Sequence, residues 1–252
     1  MTRIFATRPQ KQNKAWAKRL REAGFEVCEL PMLSIEPLRV NSAQARAREL
    51  IQKLDEYQKV IFISQNAVDF AFEQIDMYWS QLPRDINWYA VGNATRSLLE
   101  DHLDALHCVV LTNAAMNTEA LLELPDFNAP LREKILICRG VGGRAKLGDE
   151  LRVRGARVDY CELYERATPA DGAVRVRSAK LDPADVLCIF SGETLKNFHS
   201  AIVSAGDANA AQCRIIVPGD RVAELARELG FSKISVAENA SDKAMLAAIE
   251  NE

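Results

Sequence analysis

The chain has 252 residues with a formal net charge of -3, and 48% of them are hydrophobic and 27% charged. This length fits one large or two modest domains, each able to bury a core. The charge argues against bulk nucleic-acid binding, which needs a basic face, and no apolar run is long enough for a membrane span. Residues 1–7 lack the apolar stretch of a signal peptide. We therefore expect a cytoplasmic protein that binds neither nucleic acid nor membrane.

Short apolar runs alternate with amphipathic stretches along the chain. The runs are rich in Val, Ile, Phe and Cys, which is typical of parallel strands covered on both faces. We predict strands at 3–7, 26–31, 59–63, 88–91, 107–112, 134–139, 157–164, 186–190, 213–217 and 233–237. Between them the apolar residues recur with the helical period, as at Val68, Phe72 and Ile75. This alternation predicts an α/β protein with open parallel sheets and flanking helices.

The sequence contains two divergent copies of one α/β unit, at residues 1–124 and 134–252. A repeat of about 120 residues far exceeds the roughly 20–50 residues of solenoid repeats. It therefore predicts two similar domains, and ligand sites favour the interfaces between domains. Matching residues recur at offsets of 131 and then 127 positions: Gly24 with Gly155, Ser64 with Ser191, and Gly92 with Gly219.

Two extended segments interrupt this rhythm. One is the proline-bracketed segment 31–37, the other is segment 163–169, and each follows the second strand of its copy. Residues before proline favour extended backbone. We therefore predict connectors rather than helices in both places, and two such crossings side by side would form a hinge between domains.

Serine, arginine and glycine residues follow several predicted strands, at points where helices begin. In open parallel sheets, ligands bind outside the carboxyl ends of the strands, where free N–H groups of helix N-termini attract anions. Helix capping alone would explain Ser64 and Ser191 equally well. Their recurrence in both copies favours a shared ligand role. The candidate binding residues at these ends are Ser64, Asn66, Gly92, Arg139, Gly140, Ser191, Gly192 and Gly219.

The common signatures of nucleotide binding and covalent catalysis are absent from the sequence. It has no GxxxxGK[ST] phosphate loop, no GxGxxG after a strand and no GxSxG elbow. The six cysteines form no CxxC pair and the histidines match no metal-ligand spacing, so we expect core thiols and no metal. A reaction that needs positioning more than a strong base or nucleophile would fit this absence.

Six segments in order resemble bacterial uroporphyrinogen-III synthases, from residue 3 to about 250 without large gaps. Two departures concern the later loops: Asp220 and Arg221 stand where family members often carry hydroxyl residues, and the second capping segment, Ser191-Gly192-Glu193-Thr194, is also less typical. Each segment is short, but six in sequence are specific. The segments are Thr7-Arg8-Pro9 with 20–32, 61–68, 90–95, 136–166, 217–226 and 237–242.

This resemblance implies an architecture of two similar α/β domains joined by a two-stranded linker hinge, one domain being discontinuous. Carried over to this sequence, domain one would comprise 1–35 plus 168–252 and domain two 39–163. The connectors would then lie near 35–39 and 163–168. The domain boundaries would therefore differ from the boundaries of the sequence repeat.

The resemblance also implies a function. Family members cyclise the linear hydroxymethylbilane to uroporphyrinogen III, inverting ring D and losing water, on the route to haem and sirohaem. Because the bilane closes to the wrong isomer unaided, the protein must mainly fold it and fix the regiochemistry. We expect no cofactor, a monomer, the small-molecule bilane as partner, and a transient hand-over from hydroxymethylbilane synthase.

The resemblance makes Tyr164 the candidate catalytic acid, because the family places a cleft tyrosine in this return segment. A phenol keeps its proton at neutral pH, and helping water leave needs only a modest general acid. The equal alternative is that Tyr164 is an aromatic residue packed in the linker.

The substrate carries many carboxylates, which Arg8, Arg139 and Arg144 at or just past strand ends could bind. Each of them could equally be an ordinary surface charge.

Two other functions remain open from the residues alone. One is a non-catalytic two-domain protein that closes on an anionic small molecule, which would keep the anion-binding strand ends but not the role of Tyr164. The other is a nucleotide-dependent transferase, which the missing phosphate loop disfavours. Collinearity with the synthases over the whole chain favours the lyase, since fold alone would not decide.

Overall fold

The computed structural model describes residues 3–39, 42–103, 118–128, 132–143 and 145–251. Arg144 and the predicted strand 107–112 lie outside the described residues. The strands are β1 (Arg3–Ala6), β2 (Glu26–Glu29), β3 (Ser34–Pro37), β4 (Lys59–Phe62), β5 (Asn87–Ala90), β6 (Lys134–Gly140), β7 (Arg157–Ala167), β8 (Val186–Cys188), β9 (Arg214–Pro218) and β10 (Ile234–Ala237). The helices are α1 (Gln10–Glu22), α2 (Ser42–Gln52), α3 (Gln65–Tyr78), α4 (Asn93–His102), α5 (Thr118–Leu122), α6 (Lys146–Val153), α7 (Gly172–Ala179), α8 (Gly192–Ala205), α9 (Asp220–Glu228) and α10 (Asp242–Glu250).

The chain divides into two compact units. The first is discontinuous and comprises Met1–Ser34 and Ala167–Glu252, whereas the second comprises Ile35–Arg166. The first unit holds a five-stranded sheet of order β10-β9-β8-β1-β2, in which all four neighbouring pairs are parallel. The second sheet has the order β3-β7-β6-β4-β5, with parallel pairing from β7 to β5. The predicted α/β class with two parallel sheets is confirmed.

The sequence repeat is visible in the element bounds. Helices α3 and α8 begin and end 127 positions apart, and so do strands β4 and β8 at their first residues. The two copies nevertheless exchange strands. Strands β1 and β2 of the first copy join β8, β9 and β10 of the second, while β6 and β7 of the second join β4 and β5 of the first. Each sheet is therefore assembled from both copies.

Both sheets are covered by helices on both faces, as the nearly continuous apolar strands predict. In β4, Val60 and Phe62 pack in a cluster with residues of α2, α3 and α4, whereas Ile61 packs in another cluster with residues of α5 and α6. Successive strand side chains point to opposite faces, so one strand supplies two cores. In the first unit, Phe5 and Leu187 face one cluster and Ile4 and Val186 the other.

Each sheet contains one point at which the direction of winding reverses. In the first sheet it lies between β1 and β8, and in the second between β6 and β4. Open parallel sheets bind ligands in the crevice outside the strand carboxyl ends at such switch points. The carboxyl ends of β1, β8, β6 and β4 are therefore where the structure favours a site.

Candidate active site

The predicted serines cap helices at the two switch points. Ser64 follows β4 and its Oγ accepts a hydrogen bond from the Ala67 N–H at 3.1 Å. Ser191 follows β8 and accepts from the Thr194 N–H at the same distance. The two caps share extended backbone angles, with φ -164° and -159°. Capping is thus one role of both serines. The first helical turns that they cap, which contain Asn66 and Gly192, lie at the carboxyl ends of β4 and β8.

In each copy, one glycine immediately precedes the helix that follows the serine-capped one. Gly92 precedes α4 with φ 91°, and Gly219 precedes α9 with φ 72°. Positive φ strongly favours glycine, because it has no Cβ to clash with the backbone. The positive φ angle therefore explains why glycine stands at both positions. Because glycine has no side chain, neither residue covers the first N–H groups of its helix.

Tyr164 contacts one of these serines directly. Its hydroxyl lies 2.9 Å from Ser64 Oγ, and either oxygen can donate the hydrogen bond. The tyrosine is only 2% exposed, and its ring stacks on Phe70 of α3 with centroids 5.6 Å apart. Ser64 is half-buried, so the serine is the more exposed residue of this pair. Two residues singled out separately in the sequence thus form one hydrogen-bonded unit.

A strand irregularity places Tyr164 opposite Gly140. The register of β6 and β7 shifts between Arg139 and Gly140, so that Arg139 faces Glu162 but Gly140 faces Tyr164. Such irregularities re-aim side chains and are frequent next to active sites. A Cβ on Gly140 would lie 2.6 Å from Tyr164 Cε2, which leaves no room for any larger residue. The Tyr164 ring can therefore occupy its position only because residue 140 is glycine.

Arg139 is held by partners from its own unit. Its Nη2 donates to Glu162 Oε1 at 2.9 Å and its Nη1 donates to the Gly143 carbonyl at 3.0 Å. The guanidinium also lies over the Tyr160 ring, 3.9 Å from the centroid. The residue is 8% exposed. These contacts tie the 140–143 turn to β6 and β7, and the predicted contact of Arg139 with substrate stays a prediction.

Arg8 occupies the equivalent place in the first unit. Its Nη1 donates to Asp242 Oδ1 at 2.7 Å, and its guanidinium lies 4.3 Å from the centroid of the Phe190 ring. Asp242 is the first residue of α10. Arg8 thus lies at the β1–β8 switch point, where the repeat predicts a counterpart of Arg139.

A cavity of about 370 Å³ opens at the carboxyl edge of the second sheet. Ile63, Val91, Ile137 and Leu147 form apolar walls, and Arg139, Tyr160, Lys146, Arg166 and Glu119 supply polar groups. The volume lies in the roughly 300–1,000 Å³ range of small-molecule sites. The cavity lining includes the Gly142 and Gly143 turn that Arg139 holds.

Residues 14–247 match the family model of uroporphyrinogen-III synthase HemD. The chain is also 32% identical to uroporphyrinogen-III synthase of Escherichia coli K12, over 98% of this chain and 99% of that one. It belongs to the uroporphyrinogen-III synthase family. The Salmonella typhimurium LT2 synthase is likewise 32% identical, over 98% and 99% of the two chains. The resemblance stated from the sequence is confirmed.

Solved structures of this synthase family share the fold. The uroporphyrinogen-III synthetase of Helicobacter pylori 26695 superposes with a TM-score of 0.60 at 17% identity, covering 99% of both chains. A mutant synthase of the extreme thermophile Thermus thermophilus gives a TM-score of 0.58 at 17% identity, covering 100% of both. Identity this low supports the fold and not the site residues. None of the helices in the described part of the chain is long and apolar enough to cross a membrane.

Several residues of this candidate site were not singled out from the sequence, among them Glu119 and Tyr160 of the cavity lining. Phe70 supports the ring of Tyr164, while Lys146 and Arg166 line the cavity. Phe70 falls off the apolar stripe of α3, so the helical period gives no signal for it. Lys146 closely follows the glycine-rich 140–143 turn. A cation just past such a turn at a strand end was the sequence signal that could have identified it as a candidate binding residue.

Proposed function

We propose that this protein cyclises hydroxymethylbilane to uroporphyrinogen III, with inversion of ring D and loss of water, in tetrapyrrole biosynthesis. Family membership over nearly the whole chain supports the reaction. The observation that carries the proposal to this site is the Tyr164–Ser64 hydrogen bond at the switch point of the second sheet. This bond supports the proposal because open parallel sheets bind their ligands at such switch points, and either hydroxyl of the pair can donate a proton.

The reaction asks little chemistry of the protein. The electron pair of a pyrrole nitrogen expels the terminal hydroxyl, which leaves as water after gaining a proton, and loss of the pyrrole N–H proton then gives an electrophilic azafulvene. Ring D attacks it through its substituted carbon to give a spiro intermediate, which breaks and recloses with ring D turned over. Orientation of the bilane decides which carbon attacks, and holding reacting groups in place is a large catalytic effect.

Tyr164 and Ser64 are proposed to supply the proton for water loss. The tyrosine hydroxyl is nearly closed off from solvent, whereas Ser64 is half-buried. The Ser64 hydroxyl therefore passes its proton to the departing oxygen and receives the proton of Tyr164 along the 2.9 Å hydrogen bond. A general acid of this kind contributes roughly 10²–10⁴-fold to rate.

The helix starts are proposed to bind the carboxylates of the bilane. Free N–H groups at a helix N-terminus and the helix dipole favour negative charge. The candidate binders are those named from the sequence, and they divide between the two units: Arg8, Ser191, Gly192 and Gly219 in the first, and Ser64, Asn66, Gly92, Arg139 and Gly140 in the second. Arg144 stays a prediction outside the described residues.

The molecular setting belongs to the same proposal. We take the two units as the two domains of the protein and expect a cofactor-free monomer that receives its substrate from hydroxymethylbilane synthase. A cytoplasmic location agrees with the free thiols of Cys28, Cys138, Cys161, Cys188 and Cys213, since a reducing compartment keeps such groups unpaired. Sedimentation of the purified protein tests the monomer.

A coupled isomer assay tests the function. Hydroxymethylbilane is generated in situ, this protein is added, and the products are oxidised and separated as uroporphyrin isomers. Predominantly isomer III is expected. Isomer I alone, from protein shown to be folded by circular dichroism, would contradict the proposal and favour a non-catalytic binder of an anionic small molecule.

A further inference from the structure

The cavity at the edge of the second sheet combines two chemical surfaces. Its walls are the apolar side chains of Ile63, Val91, Ile137 and Leu147, and the polar part of the lining includes three cations and one carboxylate. An apolar wall with cationic groups suits a flat ring that carries acidic side chains. The bilane consists of such rings if the proposed function holds.

The three cations are not equivalent. Arg139 is 8% exposed and is held by Glu162, the Gly143 carbonyl and the ring of Tyr160. Its charge is compensated and its position is fixed by the turn it supports. Removing a partner would leave the largely buried guanidinium with an uncompensated charge, which destabilises the folded state. Arg139 therefore exchanges its partners for a ligand carboxylate less readily than an exposed cation does, and its first role in this cavity is to position the turn.

Lys146 has a partner of a different kind. Its Nζ lies 2.6 Å from Glu119 Oε1, and the two side chains are 66% and 54% exposed. Exposed ion pairs contribute little to stability, so replacing one carboxylate partner of Lys146 by another costs little free energy. Lys146 is the first residue of α6, and Glu119 belongs to α5. Glu119 thus holds a carboxylate where a substrate carboxylate would be bound.

We propose that this cavity binds one acid-bearing ring of the bilane, with Lys146 and Arg166 holding its carboxylate and Glu119 as the internal counter-ion that the carboxylate displaces. The ring packs on the Ile63, Val91 and Leu147 walls. The inference rests on the proposed function. It adds a ring-specific subsite and makes Glu119 a competitor of the substrate.

Binding of uroporphyrin III, an oxidised macrocycle with the same acidic side chains, tests the subsite without turnover. Its fluorescence is titrated with full-length protein at fixed ionic strength. Lys146→Gln and Arg166→Gln are each expected to weaken binding by about tenfold, the effect of losing one charge-assisted contact. Glu119→Gln is expected to tighten binding by about threefold or more, because both the competing carboxylate and its charge are removed.

Lys53→Gln is the matched control. Lys53 also pairs with an exposed carboxylate, Glu49, at 2.8 Å, but it follows α2, whose apolar face packs on the opposite side of the second sheet. Its Kd for uroporphyrin III should equal that of the unchanged protein. Equal Kd values for Lys146→Gln and Lys53→Gln, or weaker binding by Glu119→Gln, would overturn the subsite.

The kinetic readout separates this inference from the proposed function. In the isomer assay, Lys146→Gln is expected to raise KM by about tenfold and leave kcat within about twofold, as for a residue that binds without joining the chemistry. A fall in kcat at unchanged KM would contradict the subsite while isomer III still forms. Formation of isomer I alone by the unchanged protein would instead defeat the proposed function, whatever the titrations give.

Discussion

At the residue scale, the position of Tyr164 depends on three neighbours. Ser64 holds its hydroxyl, Phe70 stacks on its ring and Gly140 leaves room for the ring edge. The sequence indicated Tyr164, Ser64 and Gly140 one by one as candidates. It gave no sign that they touch, because their contact depends on a register shift between β6 and β7 that no local pattern encodes.

Gly140→Ala tests whether the position of the Tyr164 ring depends on Gly140. The new Cβ would lie 2.6 Å from Tyr164 Cε2, so the ring must move away from Ser64. We expect a loss of about 1–3 kcal/mol in the free energy of unfolding from overpacking, and at least a tenfold fall in isomer III formation. Gly172→Ala is the control, since its Cβ would meet Ala201 Cβ at an ordinary 3.4 Å and Gly172 does not line the cavity. Equal activity of the two variants would contradict the role of Gly140.

Because two tyrosines are buried, we predict that the free energy of unfolding decreases at alkaline pH. Burial, and then a hydrogen bond to Asp159, raise the pKa of Tyr57 above its usual value, and burial with Asp126 raises the pKa of Tyr89 in the same way. In the unfolded chain these phenols ionise near pH 10. Above that pH the unfolded state binds fewer protons than the folded state, so the free energy of unfolding falls as pH rises.

Urea unfolding at pH 8, 9, 10 and 11 measures this effect. The free energy should fall above about pH 10, by up to about 1.4 kcal/mol per pH unit for each such tyrosine. Tyr57→Phe should flatten that fall. A stability that is level from pH 10 to 11, or the same slope in Tyr57→Phe, would show that Tyr57 ionises normally in the folded protein.

At the scale of elements, the strongest sequence signals were the near-continuous apolar strands and the helical stripes. They located most of the described strands within a few residues, because burial on both faces leaves a local pattern. The sequence pattern predicted only an extended connector at β3, whereas the family resemblance implied a two-stranded linker in this region. Strand β3 has four residues, one of them charged, and is ordered by pairing with β7, a nonlocal contact.

Three serine caps allow capping and catalysis to be separated. Ser64, Ser191 and Ser241 each accept a backbone N–H, of Ala67, Thr194 and Ala244. Each change to alanine should lower the free energy of unfolding by about 0.5–2 kcal/mol. Ser64→Ala should also reduce kcat by at least tenfold, because Tyr164 loses its partner.

Ser241→Ala is the control for the loss of a cap alone, and its kcat should match that of the unchanged protein. Thermal melts and isomer III kinetics on the same preparations give both quantities. If Ser64→Ala and Ser241→Ala lose equal stability and keep equal kcat, then Ser64 is a cap and nothing more.

At the scale of the whole molecule, the repeat predicts two similar sheets but not which strands build them. The offset of Ser64 and Ser191 marks equivalent helices, yet β1 and β2 belong with β8 rather than with β4. Alternating strands and helices alone would put each copy in its own sheet. The discontinuous arrangement was expected only from the family resemblance, since strand exchange leaves no trace in periodicity.

Fragments distinguish the repeat boundary from the unit boundary. Residues 34–167 contain all five strands of the second sheet, so this fragment should fold with a cooperative thermal transition and α/β circular dichroism. Residues 1–124 contain one full copy of the repeat but lack β6 and β8, the central partners of both sheets. Cooperative folding of 1–124, with none in 34–167, would reverse the assignment.

The most direct measurement is the single-turnover rate of isomer III formation by Tyr164→Phe beside that of the unchanged protein. The phenylalanine keeps the ring on Phe70 and Gly140 and removes only the hydroxyl that meets Ser64. A folded variant whose rate falls by roughly a hundredfold or more is the expected result, in line with the roughly 10²–10⁴-fold contribution of a general acid. An unchanged rate would remove Tyr164 from the reaction and contradict the site.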